Sequence, residues 1–241
     1  MIIILATAIL PALVLVYFIY RKDKYEREPT SKLLAAFGLG ALSALASFLI
    51  SKPFGLMGLY PAEAVTVGGH IRVALFGAAI PEEVAKFVLL WLFLRRNRYF
   101  DEYVDGIVYA VCVGMGFAAF ENIGYVFGSQ EAWLATGIVR AVVSVPAHFF
   151  FAVSMGYFYS KAAFGPVDQQ KRNITLALLV PIALHAAFDA ILMVTDSVGA
   201  IATAGLVILF LGLYVYMASI SKKRFEEHLN TDGEYFRRRF W

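Results

Sequence analysis

Charge is what this sequence has least of. Asp, Glu, Lys and Arg make up 16% of its 241 residues, against 60% that are hydrophobic. A soluble domain carries about a quarter charged and roughly half apolar residues. The mean hydropathy of +0.70 points the same way, to a chain dissolved in lipid rather than in water. One cysteine, Cys112 inside an apolar run, excludes an intrachain disulfide and says nothing of redox compartment. There is no internal repeat, no low-complexity segment and no stretch that reads as a soluble domain. The net charge of +3 calls for no nucleic-acid partner, because its basic residues are grouped where a membrane topology needs them.

Apolar runs of roughly 20 residues cross about 30 Å of hydrocarbon. Seven such runs are present: 2–20, 33–51, 71–94, 104–127, 133–159, 174–195 and 198–220. This predicts an all-α, polytopic bundle of about seven transmembrane helices, with one domain over 1–220 and a basic–aromatic cytoplasmic tail over 221–241. The tail's "YFRRRFW" suits an anchor at an anionic lipid surface. Connections alternate in charge: 17 of the 21 basic residues lie in segments 21–32, 95–103, 160–173 and after 220. Lys52 and Arg72 lie on the opposite side, and Lys86 and Arg140 inside spans. The positive-inside rule then places the N-terminus outside and the C-terminus in the cytoplasm of a multi-pass cell-membrane protein. "MIIILATAIL" has no positive start, so the first run reads as a retained helix rather than a signal peptide. The connection 52–70 reads as a loop, or as a cap over a cavity.

Against that apolar background, eight ionisable residues fall inside spans: Glu82, Glu83, Lys86, Glu121, Arg140, His148, His185 and Asp189. A charge at the bilayer centre costs about 2.5–3.5 kcal/mol on the insertion scale, and such residues mark chemistry or transport. Helical rise places most of them in the middle and outer half of the bilayer. Glu82 and Lys86 are four apart, as are His185 and Asp189, so each pair shares a helix face. Arg140, Ser144 and His148 form a polar stripe at the same spacing. Asp101 and Asp105, at the cytoplasmic mouth of the fourth span, read as solvated. Pro81, Pro146 and Pro181 each remove one helical donor, freeing the carbonyls of Gly77, Val142 and Ala177. "GMGFAAFENIG" in the fourth span reads as a close-packing surface.

Paired carboxyls, a lysine and two imidazoles suit hydrolysis. One glutamate activates water, and a histidine held by an acid stabilises the oxyanion. On this reading Glu83, assisted by Glu82, is the base; His185 and His148 hold the oxyanion, and Asp189 orients His185. Lys86 and Arg140 are supporting partners, Arg140 to Glu121 or Asp189, and Asn122 orients water. No cofactor is required. The alternative is one zinc ion bound by His148, His185 and a carboxylate, although no H-E-x-x-H occurs to support it. A rival class, a proton- or cation-coupled transporter or channel, would use the same buried carboxylates.

Three motifs carry a family resemblance. "EEVAK" (Glu82–Lys86), "FAAFEN" with Phe117 and Glu121, and "HAAFD" with His185 and Asp189 resemble the three motifs of the PrsW intramembrane proteases, distant relatives of the CAAX prenyl proteases. "KDKYEREP" is similar to the family's first cytoplasmic loop, and the likeness runs from about residue 10 to 195. The resemblance implies a peptidase that cuts membrane-anchored proteins in the bilayer, the type substrate being an anti-sigma factor cut first on its extracytoplasmic side. It implies catalytic roles for Glu82, Glu83, Glu121, His185 and Asp189, with His148 where related peptidases have a further histidine. It leaves metal dependence open.

Overall fold

The computed structural model describes residues 2–240, and the side chains of 3–237. Among these residues it is helical, with no strand. The helices are α1 (Ile2–Lys22), α2 (Thr30–Leu56), α3 (Val67–Arg72), a π-helical segment (Val73–Ala79), α4 (Ile80–Leu94), α5 (Tyr103–Gly128), α6 (Trp133–Val142), α7 (Ser144–Phe164), α8 (Gln170–Val194) and α9 (Ala200–Phe240). Six helical stretches are long and apolar enough to cross a membrane. The seventh expected span, α3 through α4, is also helical along its length, but it carries Arg72, Glu82, Glu83 and Lys86. The protein is a polytopic helical bundle in the cell membrane, with large apolar side chains such as Leu49, Val142, Ile201 and Ile208 facing outward.

α5 is the axis. Its residues Val104–Ala119 are all buried, because α1, α2, α6, α7 and α9 surround it. A helix apolar on every side is what a bundle centre requires. Glycine sets the closeness on two of its faces. A Cβ at Gly116 would run into the Phe37 carbonyl of α2, and one at Gly156 of α7 into the backbone of Gly106. Gly124, from the same glycine-rich stretch, faces open space.

Two of the three prolines disturb the backbone as their chemistry demands, and other helices answer. The Gly77 carbonyl, freed by Pro81 at the end of the π-helical segment, accepts from Ser51 Oγ at 2.9 Å. The Val142 carbonyl, freed by Pro146, accepts from Tyr214 Oη at 2.7 Å. The expected fifth span is therefore two helices meeting at Val143 (φ −108°, ψ −63°), and the Arg140–Ser144–His148 stripe crosses that break. Segment 57–66 is a loop tied to the bundle, with Tyr60 Oη 2.9 Å from Ser51 Oγ and Arg72 donating to the Leu59 carbonyl at 2.7 Å.

The basic connections gather at one end, and α9 runs on to meet them, so residue 220 falls within a continuous helix. His228 is buried and stacked on Tyr157, with its Nε2 3.0 Å from the Tyr157 carbonyl. Asp232 accepts from the Tyr103 and Val104 amides at 3.0 and 2.9 Å, capping α5 from another helix. The side chains of Arg238–Phe240, and Trp241 altogether, lie outside the described residues. Asp105 is not solvated: it is fully buried, and its Oδ2 accepts from the amides of Asp101 and Glu102 at 3.0 and 2.7 Å. The reason is its position at the third residue of α5, where a carboxylate satisfies orphan amides at the helix start. Asp23, Glu28 and Glu102 are buried around it, and Glu28 accepts from Tyr109. Burial pushes their carboxyls up, Asp23 to about 6, Glu28 to about 7 and Glu102 to about 8, with Asp232 and Asp23 adding repulsion at Glu102.

Candidate active site

All eight ionisable residues of the spans meet in one cluster fed by five helices. α4 starts at Ile80, right after the π-helical segment, and turns Glu82, Glu83 and Lys86 inward in its first two turns. Lys86 Nζ lies 2.8 Å from Glu83 Oε1 and 3.5 Å from Glu82 Oε2. The tighter partner is thus three residues back rather than four. The ammonium rests 3.7 Å over the ring of Phe117, the first residue of the second motif, and 3.3 Å from His148 Nδ1. Phe117 therefore serves the site directly, as a cation–π platform.

Each imidazole is held by a carboxylate. His148 Nε2 lies 3.1 Å from Glu121 Oε2, and His185 Nε2 lies 3.2 Å from Asp189 Oδ2, the pair expected from their spacing. His185 Nδ1 faces Glu83 Oε1 at 2.9 Å. Arg140 pairs with Glu121 at 2.5 Å rather than with Asp189, and its Nε donates to Asn122 Oδ1 at 2.6 Å. Asn122 gives its amide hydrogens to the Ala8 carbonyl at 3.2 Å, so it fastens α1 and Arg140 together instead of facing the chamber.

The two glutamates of the first motif differ. Glu83 has no exposed side-chain surface and is clamped by Lys86 and His185; Glu82 has looser partners and 14% of its side chain open. Glu82, Glu121, Arg140, His148, His185 and Asp189 line a chamber of about 90 Å³. At about 30 Å³ per water it holds a few water molecules. Glu82, Glu121, Ala78, Tyr125 and Met193 also line a lateral groove of about 750 Å³ running along α2, the π-helical segment and α5. Two aromatic contributors went unread in the sequence: Phe151 stacked on His185 at 4.8 Å, and Tyr125 under Arg140 at 3.9 Å. Phe151 follows His148 by three residues, which was a usable signal; Tyr125 had none beyond falling four after Glu121.

A metal fits the donor set. One ligand atom from each of Glu82, Glu83, His148 and His185 lies within 4.8 Å of the others. Two imidazoles with carboxylates are zinc-type ligands, and a metal-binding histidine characteristically has its second nitrogen held by a carboxylate, as Glu121 and Asp189 do here. The buried Oε2 atoms of Glu82 and Glu83 have no hydrogen-bond partner, which leaves acceptor capacity at the same spot.

A membrane bundle that holds two carboxylate-fixed imidazoles and a glutamate pair beside a water-sized chamber is the architecture of an intramembrane hydrolase. Comparison narrows the class. Residues 28–220 match the model of the PrsW family intramembrane metalloproteases. A "Protease PrsW" of Clostridioides difficile (strain 630) is 33% identical over 95% of this chain and 92% of its own. The corresponding protein of Oceanobacillus iheyensis is 34% identical over 86% and 91%, and that of Bacillus subtilis (strain 168) 33% over 78% and 82%. No solved structure matches. The chain belongs to the PrsW family of intramembrane proteases.

Proposed function

We propose that the chain cuts a membrane-anchored protein, of anti-sigma-factor type, at a first site near the outer face of the membrane, using water activated by a glutamate. The observation that carries this is the small chamber sharing Glu82 and Glu121 with the lateral groove, which offers a protein segment a way from lipid to the acid–imidazole cluster. Glu82 is the better-placed base, because it faces both spaces while Glu83 is locked. In its carboxylate form it takes a proton from water, and the hydroxide adds to the scissile carbonyl. Arg140, which lines the chamber, holds the oxyanion, because both ring nitrogens of His148 and of His185 already face Lys86, Glu121, Glu83 and Asp189. Collapse breaks the C–N bond, and the proton held by Glu82 passes to the leaving amine. Glu83 and Lys86 fix the position of His185 and of each other; Asp189 and Glu121 orient the two rings.

Were zinc bound, Glu82, Glu83, His148 and His185 would hold it, and it would supply Lewis-acid polarisation of the carbonyl or of water. The glutamate-only reading is favoured because Lys86 already provides a cation within the same group. Hydrolysis is favoured over transport because buried Leu90, Leu94, Ile107, Val108, Val111 and Met155 fill the bundle between the cluster and its basic end. The orientation follows the charge asymmetry: basic end in the cytoplasm, chamber in the outer half of the bilayer, seven spans in all.

The test is incubation of the purified, reconstituted chain with single-pass membrane proteins, including candidate anti-sigma factors, with mapping of new termini and metal content measured alongside. Cleavage by the wild type and none by Glu82→Gln supports the proposal. If both preparations give the same termini, or neither gives any, it is wrong. Stoichiometric zinc together with loss of cleavage on chelation would overturn the glutamate-only mechanism and leave peptidase activity standing.

A further inference from the structure

α1 and α9 both lean on α7, and near the basic end they leave a cleft of about 610 Å³ between them. Its floor is apolar: Phe18 and Ile19 from α1, Phe149, Phe150 and Val153 from α7, and Phe225 from α9. Its rim carries three ammonium groups, Lys22, Lys24 and Lys222, against one carboxylate, Glu226. Among the described residues Lys22 and Lys24 form no ion pair, and Lys222 has only a loose 3.9 Å contact with Glu226.

A second observation is independent of charge. Ser221 lines the same cleft, is 4% exposed, and its Oγ has no hydrogen-bond partner. Two buried serines of α2 satisfy themselves on their own helix, Ser43 donating to the Gly40 carbonyl at 2.6 Å and Ser47 to the Ala44 carbonyl at 2.8 Å, whereas Ser160 of α7 shares the open hydroxyl of Ser221 but does not line this cleft. A buried hydroxyl left open costs about 1–3 kcal/mol unless something completes it. Basic pockets between transmembrane helices beside an anionic leaflet select lipid headgroups.

We propose that this cleft binds an anionic phospholipid, with its phosphate on Lys22, Lys24 and Lys222, an ester or phosphate oxygen accepting from Ser221 Oγ, and an acyl chain along Phe18, Phe149, Phe150 and Phe225. Apolar floor and cationic rim together distinguish a lipid from a free phosphate ion, which would have no use for the aromatic wall. The site is separate from the catalytic cluster, yet Phe149 directly follows His148 in the chain, so the lipid packs on the helix that carries a site histidine.

The test uses the full chain in nanodiscs with photoactivatable phosphatidylglycerol, its phosphatidylcholine counterpart, and inorganic phosphate as competitor. At roughly 1 kcal/mol per lysine near the surface, each Lys→Gln change weakens binding about fivefold. The triple variant Lys22→Gln, Lys24→Gln, Lys222→Gln should lose labelling of α1 and α9 by well over tenfold, while Lys32→Gln, Arg96→Gln, Arg98→Gln keeps it. Ser221→Ala should weaken it several-fold. Equal labelling by phosphatidylcholine, undiminished labelling of the lysine variant, or complete displacement by millimolar phosphate overturns the proposal.

Discussion

Glu82 and Glu83 are neighbours with the same chemistry, and their surroundings predict opposite consequences for the same substitution. Glu83→Gln removes the charge from a side chain that is wholly buried and held by Lys86 at 2.8 Å and His185 at 2.9 Å. Breaking a buried pair from one side costs about 3–5 kcal/mol, because the other charge is left uncompensated. Glu82 stays 3.5 Å from the same ammonium and recovers part of that loss, so about 2–3 kcal/mol is expected. For a chain of this length that is a fall in Tm of roughly 5–10 °C. Glu82→Gln breaks only the 3.5 Å and 3.9 Å contacts of a side chain that opens on the chamber, and leaves Lys86 and His185 on Glu83, so it should cost less than Glu83→Gln. If Glu82 is the base, its loss instead removes about 10²–10⁴ of rate. The assay is a paired measurement on detergent-purified protein: Tm by intrinsic fluorescence, and initial cleavage rate on a membrane-anchored substrate. Glu82→Gln should be stable and inactive, and Glu83→Gln destabilised as well as slow. The reverse pattern, a destabilised Glu82→Gln beside a stable and inactive Glu83→Gln, refutes the assignment and returns the base role to Glu83.

Three further outcomes are expected. Ser51→Ala and Tyr214→Phe each strip the hydroxyl from a carbonyl that a proline has freed, and should each lower stability by about 1–3 kcal/mol; a neutral result for both by thermal unfolding would mean that water replaces them. Gly116→Val forces a side chain into the Phe37 carbonyl and should part α2 from α5, abolishing a cooperative melt, whereas Gly124→Val meets open space and should leave Tm within about 2 °C. Asp23, Glu28 and Glu102 have folded-state carboxyls raised from 3.8, 4.5 and 4.5 to about 6, 7 and 8. The folded state therefore binds more protons than the unfolded chain between those limits. Their contribution is fully present below about pH 4 and lost as pH rises through 6 to 8, so Tm should fall over that range, and the Asp23→Asn, Glu28→Gln, Glu102→Gln variant should flatten the fall.

Much of the fold was legible from the chain alone, because in lipid every helix must satisfy its own backbone and show apolar side chains to its surroundings. That one constraint writes spans, connections and charge asymmetry directly into composition. The ionisable cluster was legible for the same reason: Glu83 or His185 in a soluble protein would be unremarked, and inside an apolar run each stands out. Even the carbonyls of Gly77 and Val142 could be named, since a proline's missing N–H is a local fact.

What answers those carbonyls was not local. Ser51 and Tyr214 come from distant helices, as does Asp232 on the first turn of α5, and no spacing rule reaches across such separations. Asp105 was misread because its sequence position at a helix mouth is the same whether water or three other buried acids surround it. The choice between Glu82 and Glu83 likewise rests on which one opens to the chamber, a matter of helix rotation about one axis. Sequence by itself determined that charge would be buried in lipid and on which helices. Tertiary structure alone decided which groups touch, because pairing energies depend on ångströms between side chains that the chain places tens of residues apart.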